Sequence, residues 1–304
     1  MTGSSSAKTF TPPRPKGLPS WAVGYLFIAP AIIGFVAFYL YPAIRGLQIS
    51  FTDWNLLSDP KFIGFQNYLE VFSDAKFWAS FGVTVQYVLW NIPLQTVLSL
   101  LLAVAMDRLV SSMAIKGLLI LPYLLSSVIV GMIFLWMLDP LLGILIQWLA
   151  ATPIGKQTFF SSPEQAIPTI AIINIWKHMG FNALLFYAGM QSIPRTVYEA
   201  AKIDGASEWI TFWRMTLPLL RPVTVFVMVT SVIGSFQIFD MIAVTTNGGP
   251  IDSTRVVVLY IYQNAFSFFR MGYATAMSMV LFVILVFFTL LQTRILRANE
   301  SDLD

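Results

Sequence analysis

The chain has 304 residues, of which 57% are hydrophobic and only 11% are charged. A soluble domain usually carries about 25% charged residues and cannot hide this much apolar surface, because roughly half of its surface faces water. The chain has no cysteine, which excludes disulfides, thiolate metal sites and cysteine nucleophiles, and a single histidine, which excludes any site that needs two. The net charge of +3 is small, and we interpret it through membrane topology rather than nucleic-acid binding.

Long apolar blocks predict an all-α membrane protein with about six transmembrane helices, since roughly 20 apolar residues cross the hydrocarbon core. The first block is too long for a signal-peptide core and has no small-residue cleavage pattern, so we expect an uncleaved first span. The predicted spans are residues 21–44, 77–106, 117–138, 166–191, 223–244 and 272–295. The predicted organisation is therefore an N-terminal tail (1–20), a transmembrane domain (21–295) and a C-terminal tail (296–304).

The distribution of lysine and arginine predicts the orientation of these spans, because short cytoplasmic segments are enriched in both residues. With the N-terminus inside, eleven of the 18 fall in cytoplasmic segments and six in external segments, while Lys177 falls inside a span. We therefore expect both termini in the cytoplasm of the cell whose membrane this chain crosses several times.

The predicted cytoplasmic loop 192–221 has the pattern of a helix-turn-helix. Pro194 discourages the fourth span from continuing, and Thr196 and Glu199 have the spacing of a capping box at a helix start. Gly205 can adopt the left-handed conformation that ends a helix. A second short helix is expected over residues 207–215, ended by Pro218. Two interpretations are open for this helix pair: a docking site for a partner protein, or a pair of surface helices that lie on lipid headgroups.

The residues of this loop decide between the two interpretations through a resemblance. Glu199-Ala200-Ala201, Gly205 and Met215-Thr-Leu217-Pro218 match, at the expected spacing, the EAA loop of bacterial ABC-importer permeases, with Met215 in place of the usual isoleucine. The agreement continues in Asn91-Ile-Pro-Leu-Gln95, Leu121-Pro122, Leu142-Gly-Ile-Leu145, Phe236-Gln-Ile-Phe-Asp240, Thr246-Asn-Gly-Gly-Pro250, Ile261-Tyr-Gln-Asn-Ala-Phe266 and Gly272-Tyr-Ala-Thr-Ala276. The chain thus resembles carbohydrate-importer permeases, including the larger maltose permease subunit and glycerol-3-phosphate permeases.

The resemblance implies a coupling role for the loop, which in that family docks into a cleft on a cytoplasmic ATPase. The implied coupling residues are Glu199, Ala200, Ala201, Asp204 and Gly205. The chain has no Gly-x-x-x-x-Gly-Lys-Ser/Thr phosphate loop, so ATP and magnesium are expected on partner subunits and no cofactor or metal on this chain. The implied partners are a second permease subunit, two ATPase subunits and an external solute-binding protein.

Polar residues inside the predicted spans are candidates for a solute path, because charged groups are costly at membrane depth. Three helical spans each carry such residues at spacings of three or four, which places them on one face of a helix. A polar and aromatic stripe of this kind suits a wet path for a sugar, and the resemblance to the maltose permease implies contacts on the same spans. The candidate path residues are Tyr123, Ser127, Asn174, Lys177, His178, Phe181, Phe236, Gln237 and Asp240.

Several alternatives remain open from the residues alone. Lys177 and Asp240 could form a buried ion pair that joins two spans without touching solute. An unpaired Lys177 would instead indicate an anionic solute such as a glycerol phosphate or glycerophosphodiester. An ion-driven secondary transporter would need an inverted repeat with broken helices, and no clear one is visible. An intramembrane enzyme would need a motif such as His-Glu-x-x-His or Gly-x-Ser-x-Gly, and neither is present.

Overall fold

The computed structural model of the protein describes residues 19–110, 112–153 and 155–295, so most of the two predicted tails lies outside the described residues. The chain forms two units, Met1–Gln48 and Ile49–Asp304. The described part of the first unit is one helical segment made of α1 (Ser20–Phe35), a π-helical turn (Val36–Leu40) and α2 (Tyr41–Ile49). Large apolar side chains of this segment, such as Phe27 and Phe38, are exposed, as expected for a helix whose solvent is lipid.

The second unit is a helical bundle with one small antiparallel sheet. Strands β1 (Thr52–Asp53) and β2 (Lys61–Phe62) pair with Thr52 opposite Phe62. Short non-α turns lie at Phe159–Ser161 (3₁₀), Phe212–Thr216 (π) and Gln263–Ser267 (π). The helices are α3 (Gln66–Ser73), α4 (Ala75–Leu109), α5 (Met113–Leu124), α6 (Ser127–Met137), α7 (Ile144–Ala150), α8 (Ala166–Ser192), α9 (Arg195–Ile203), α10 (Glu208–Thr211), α11 (Leu217–Leu219), α12 (Arg221–Phe236), α13 (Asp240–Thr245), α14 (Val257–Tyr262) and α15 (Met271–Ile295).

Helix α8 is the centre of this bundle. It packs most extensively against α4, and further against α5 and α12. Gly180 allows the close approach of α5, because a side-chain carbon at this position would overlap the carbonyl group of Leu119. Buried side chains such as Ile170 and Phe186 fill the contacts on either side of its midpoint. The polar residues of α8 are therefore held by protein on most sides.

Two of the predicted spans are broken. The predicted span 117–138 is wrong as a single helix, because α5 and α6 meet at an angle of 88°. Pro122 lies in the last turn of α5, and Leu125 and Ser126 have extended backbone conformations that no α-helix contains. The predicted span 223–244 lies within one segment that is long and apolar enough to cross a bilayer, Arg221–Thr245, although the backbone leaves the helix between α12 and α13, where Phe239 has φ −144° and ψ −60°. Both breaks fall inside predicted spans, and at membrane depth non-helical backbone is tolerated only inside protein or beside a water-filled cavity.

Among the described residues, four helical segments are long and apolar enough to cross a bilayer, and a fifth is added if α5 and α6 form one bent span. The four are Trp21–Ile49, Ala75–Leu109, Arg221–Thr245 and Met271–Ile295. Helix α8 is long enough at 27 residues, but the polar side chains at its centre lower its hydropathy. The predicted all-α membrane fold is confirmed, whereas the count of six spans stays a prediction.

Candidate functional site

A cavity of about 340 Å³ lies where α4, α8 and α12 meet the two helix breaks. Its wall consists mainly of carboxamides, hydroxyl groups and aromatic rings, together with one imidazole and one carboxylate. Among the described residues, no lysine or arginine lines it. A cavity of this volume with convergent polar groups is typical of sites for small molecules.

Helix α8 contributes the predicted stripe to this cavity. Asn174, His178 and Phe181 all line it, and Asn182 extends the stripe by one further turn. The Nδ1 atom of His178 lies 2.9 Å from the carbonyl oxygen of Asn174. Because a carbonyl oxygen only accepts hydrogen bonds, Nδ1 is the donor in this contact.

An aromatic pair forms part of the same wall. The rings of Tyr123 and Phe181 stack with centroids 4.3 Å apart and planes 9° apart, and His178 meets Tyr123 edge-on at 5.6 Å. The pair joins the end of α5 to the middle of α8. It therefore presents a rigid apolar surface beside hydrogen-bonding groups, which is the combination that a sugar ring with its hydroxyl groups requires.

The two helix breaks supply the polar residues opposite α8. Ser127 at the start of α6, Gln237 at the break after α12 and Asp240 at the start of α13 all line the cavity. The expectation that Phe236, Gln237 and Asp240 share one helical face is wrong, because the helix is interrupted between them. Phe236 is buried instead against Phe81 and Phe288, with ring centroids about 6 Å away in each case, and does not line the cavity.

Lys177 is not among the residues that line the cavity, and its place in the solute path stays a prediction. The side chain is 6% exposed, its Nζ atom donates to the carbonyl oxygen of Tyr123 at 3.4 Å, and it lies 5.5 Å from the ring centroid of the same residue. Successive residues of a helix are rotated by about 100° about its axis. Asn174, His178 and Asn182 form the centre of the polar stripe, and Lys177 therefore lies at its edge. Within the described part of the chain, no ion pair joins Lys177 to Asp240.

A hydrogen-bond network that the sequence patterns did not predict joins three helices within this wall. The side chain of Asn91 on α4 accepts from Asn174 at 3.1 Å and donates to Ser235 on α12 at 3.0 Å. Asn91 also donates to Gln95 at 3.1 Å, and Gln95 donates to Ser231 on α12 at 3.3 Å. These five residues all line the cavity.

A signal for the α4 contribution was present in the sequence. Tyr87, Asn91 and Gln95 lie four residues apart, which places three polar side chains on one face of an otherwise apolar helix. The partners Ser231 and Ser235 repeat this spacing on α12. The pairing between the two helices joins residues 136 and 144 positions apart, and no local pattern predicts it.

The loop 192–221 forms the predicted helix-turn-helix. Helix α8 ends at Ser192, and α9 ends before Gly205, whose φ of +73° is the left-handed conformation expected there. The amide of Gly205 donates to the carbonyl oxygen of Lys202, and the amide of Ala206 to that of Ala201. Of the predicted coupling residues, Ala201 is buried, whereas Glu199, Ala200, Asp204 and Gly205 are exposed. The loop therefore presents exposed residues on which a partner protein could dock, and the binding of an ATPase to them stays a prediction.

Two details of the predicted loop are wrong. Helix α9 begins at Arg195 after Pro194, with no side-chain cap, so Thr196 and Glu199 lie within the helix rather than in a capping box. Pro supplies the helical φ at this start without a hydroxyl cap. Pro218 does not end the second helix, because the chain continues through a π-helical turn into α11, with Pro218 in its first turn.

Polar contacts tie the loop region to the end of α4. Arg108 donates to Glu208 at 2.6 Å, and Gln191 donates to Asp107 at 2.6 Å. All four residues lie in segments that are predicted to be cytoplasmic or at the end of the adjoining span. An exposed ion pair contributes only about 0–1 kcal/mol, so these contacts align the elements more than they stabilise them.

The opposite end of α4 is held by a cluster around Asp74. The carboxylate of Asp74 caps α4 and accepts from Tyr273 at 2.6 Å and Tyr260 at 2.8 Å. Burial acts to raise the pKa of Asp74, but these hydrogen bonds outweigh it, and its pKa lies below the ordinary value. Arg270 pairs with Glu70 at 2.6 Å beside this cluster, which fixes α15 against α3. The cavity thus lies between two tethered ends of the bundle.

The described residues contain no group of three or more histidine, aspartate or glutamate side chains that could hold a metal ion.

Comparison with known proteins gives relatives along nearly the whole chain. The probable ABC transporter permease YesP of Bacillus subtilis is 36% identical over 88% of this chain and 88% of its own. The sulfoquinovosyl glycerol permease SmoG of Agrobacterium fabrum is 34% identical, covering 94% and 96%, and the sn-glycerol-3-phosphate permease UgpA of the same organism is 33% identical, covering 91% and 95%.

A solved structure and a family model agree with these relatives. The crystal structure of a bacterial ABC transporter that imports the acidic polysaccharide alginate contains a chain with a TM-score of 0.79, 26% identity and coverage of 92% of this chain and 96% of that one. The model of the family described as binding-protein-dependent transport system inner membrane component matches residues 87–300. The chain therefore belongs to the binding-protein-dependent transport system inner membrane components, the permease subunits of ABC transporters.

Proposed function

We propose that this chain is a transmembrane subunit of an ATP-driven importer that moves a carbohydrate across the cell membrane by alternating access. The observation that carries the carbohydrate assignment is the chemistry of the cavity wall. Sugar hydroxyl groups need donors and acceptors, and sugar rings pack on aromatic faces. The carboxamides and hydroxyl groups of the wall supply the donors and acceptors, and the stacked rings of Tyr123 and Phe181 supply the aromatic surface.

A glycerol phosphate or glycerophosphodiester is the second candidate solute, because one relative is named as an sn-glycerol-3-phosphate permease. A phosphate group is commonly held by arginine or lysine side chains. Lys177 is buried outside the wall, and among the described residues the wall has no lysine or arginine but does have the acidic side chain of Asp240. This charge distribution favours a carbohydrate over a phosphate.

The energy source in this proposal is a separate pair of ATPase subunits that carry ATP and magnesium. ATP binding closes the ATPases, their cleft moves the segment from Glu199 to Gly205, and the attached spans turn as bodies. The cavity then opens outward to accept solute from an extracytoplasmic binding protein, and hydrolysis returns it to the inward state. A second permease subunit completes the path, and both termini of this chain lie in the cytoplasm.

The proposal predicts which solutes the complete complex carries. Proteoliposomes that contain all subunits should accumulate carbohydrate only when ATP is supplied to the ATPase side, and excess glycerol 3-phosphate should not compete. Dissipating ion gradients with ionophores should leave this uptake unchanged, because no ion drives it. Uptake that follows an ion gradient and ignores ATP would identify a secondary transporter instead, and competition by glycerol 3-phosphate would favour the second candidate.

A further inference from the structure

Two buried polar groups on the cavity wall lack hydrogen-bond partners. Among the described residues, the hydroxyl group of Tyr87 on α4 and the side-chain amide nitrogen of Asn182 on α8 have none. Tyr87 is fully buried and Asn182 is 6% exposed, yet both line the cavity. Buried polar groups in folded proteins are nearly always paired, so each such exception needs an explanation.

Several neighbouring residues of the wall do have hydrogen-bond partners. Asn91 and Gln95, on the same face of α4 as Tyr87, are both engaged in the network with α12. His178, one turn before Asn182, is bonded to Asn174. Tyr87 and Asn182 therefore continue the polar faces of α4 and α8. The other residues named on these faces bond to the protein itself, whereas the two unpaired groups remain able to bond to a ligand in the cavity.

We infer that Tyr87 and Asn182 form a subsite that binds hydroxyl groups of the transported carbohydrate. This inference rests on the proposed function. A phenol hydroxyl donates and accepts, and a carboxamide nitrogen donates two hydrogen bonds, which are the functions that a neutral sugar hydroxyl complements. Neither a phenol nor a carboxamide carries charge at neutral pH, so the subsite is expected to bind hydroxyl groups in preference to anions.

Other unpaired hydroxyl groups on α4 provide a matched comparison. Ser99 is fully buried and its hydroxyl has no partner among the described residues, but it does not line the cavity. Its removal should alter the fold as little as the removal of the Tyr87 hydroxyl, since neither substitution breaks a hydrogen bond that the structure describes. The comparison therefore separates the loss of a buried hydroxyl from the loss of a ligand contact.

The test measures solute affinity directly. The detergent-purified complex of both permease subunits and the ATPases, without binding protein, is titrated with tritiated sucrose, trehalose, maltotriose and raffinose in equilibrium dialysis. For each saccharide that the wild type binds, Tyr87→Phe and Asn182→Leu should raise Kd roughly tenfold, a change of about 1.4 kcal/mol. Ser99→Ala should leave Kd within about twofold, and the melting temperature of Tyr87→Phe should match that of the wild type.

Two results would overturn the subsite. The first is a Kd for both cavity variants equal to that of the wild type and Ser99→Ala, and the second is no binding of any of the four saccharides by the wild-type complex. Uptake of the same saccharides by proteoliposomes with all subunits separates the two levels of the proposal. Unchanged Kd with continued ATP-driven carbohydrate uptake refutes the subsite alone, whereas the absence of such uptake also refutes the proposed function.

Discussion

Replacing Gly205 with proline is expected to reduce solute uptake to background while the partner ATPases continue to hydrolyse ATP. Gly205 has φ +73°, whereas proline fixes φ near −65°, and its amide donates to the carbonyl oxygen of Lys202 at 3.1 Å, a bond that proline cannot make. Proline destabilises the observed turn by about 3 kcal/mol, so the conformation in which α9 docks becomes roughly a hundredfold less populated. The measurement is uptake per ATP hydrolysed in proteoliposomes.

The chain offers a control that matches this change closely. Gly155 also has φ +73°, its amide donates to the carbonyl oxygen of Thr152 at 3.1 Å, and no atom lies within 4 Å of a side-chain carbon placed there. Gly155→Pro therefore imposes the same local damage outside the loop and should keep uptake within about twofold of the wild type. Equal losses in the two variants would show that Gly205 has no special role in coupling.

A second variant tests the same loop without changing the backbone. Glu199 is exposed and makes no hydrogen bond or ion pair with any described residue, so Glu199→Lys should leave folding and expression intact. If this face of α9 sits in the cleft of an ATPase, the reversed charge should again lower uptake relative to ATP hydrolysis. Normal coupling in this variant, together with loss in Gly205→Pro, would restrict the role to the shape of the turn.

Gly180→Ala is expected to destabilise the central bundle strongly. A side-chain carbon at Gly180 would overlap the carbonyl group of Leu119, so α5 and α8 must separate. Overpacking of this kind costs roughly 1–3 kcal/mol, and the separation would also disturb the stacked pair of Tyr123 and Phe181. We expect the melting temperature of the purified complex to fall by roughly 3–10 °C and uptake to fall with it.

Gly82→Ala is the matched control for this substitution. Gly82 is an exposed glycine within α4, and no atom lies within 4 Å of a side-chain carbon placed there. The same glycine-to-alanine change should be neutral or should stabilise the helix by about 0.5–1 kcal/mol, because alanine has the higher helix propensity. A melting temperature that is the same in both variants would mean that α5 and α8 are not held at this distance.

The parts of the fold that depend on local signals could be predicted from the sequence. Pro194 ends α8, Gly205 takes the left-handed turn, and the stripe of Asn174, His178 and Phe181 faces one cavity. Each prediction rests on residues within one or two helical turns. The interruption near Leu125 was harder to predict from the sequence. Pro122 indicates a weak point in the helix, but the apolar residues on both sides of it are typical of one continuous span.

The rest of the site depends on contacts between distant segments. The pairing of Asn91 with Ser235 sets which face of α4 meets α12, and it decides that Tyr87 lines the cavity. Lys177 shares the spacing of the path residues, but its rotation about α8 turns it toward the carbonyl oxygen of Tyr123. Helical periodicity defines a face, whereas only packing decides which edge of that face meets solvent or a neighbour.

The most direct test of the account is a cross-link from the loop to a nucleotide-hydrolysing partner. The chain has no cysteine, so Ile203→Cys, at an 86% exposed position at the end of α9, introduces a single reactive thiol. In membranes that contain the complete complex, a short bifunctional thiol reagent should join this position to an ATPase subunit, and labelling should occur only from the cytoplasmic side. Labelling from the outside, or sustained ATP-driven uptake with no ATPase within cross-linking reach, would contradict the account.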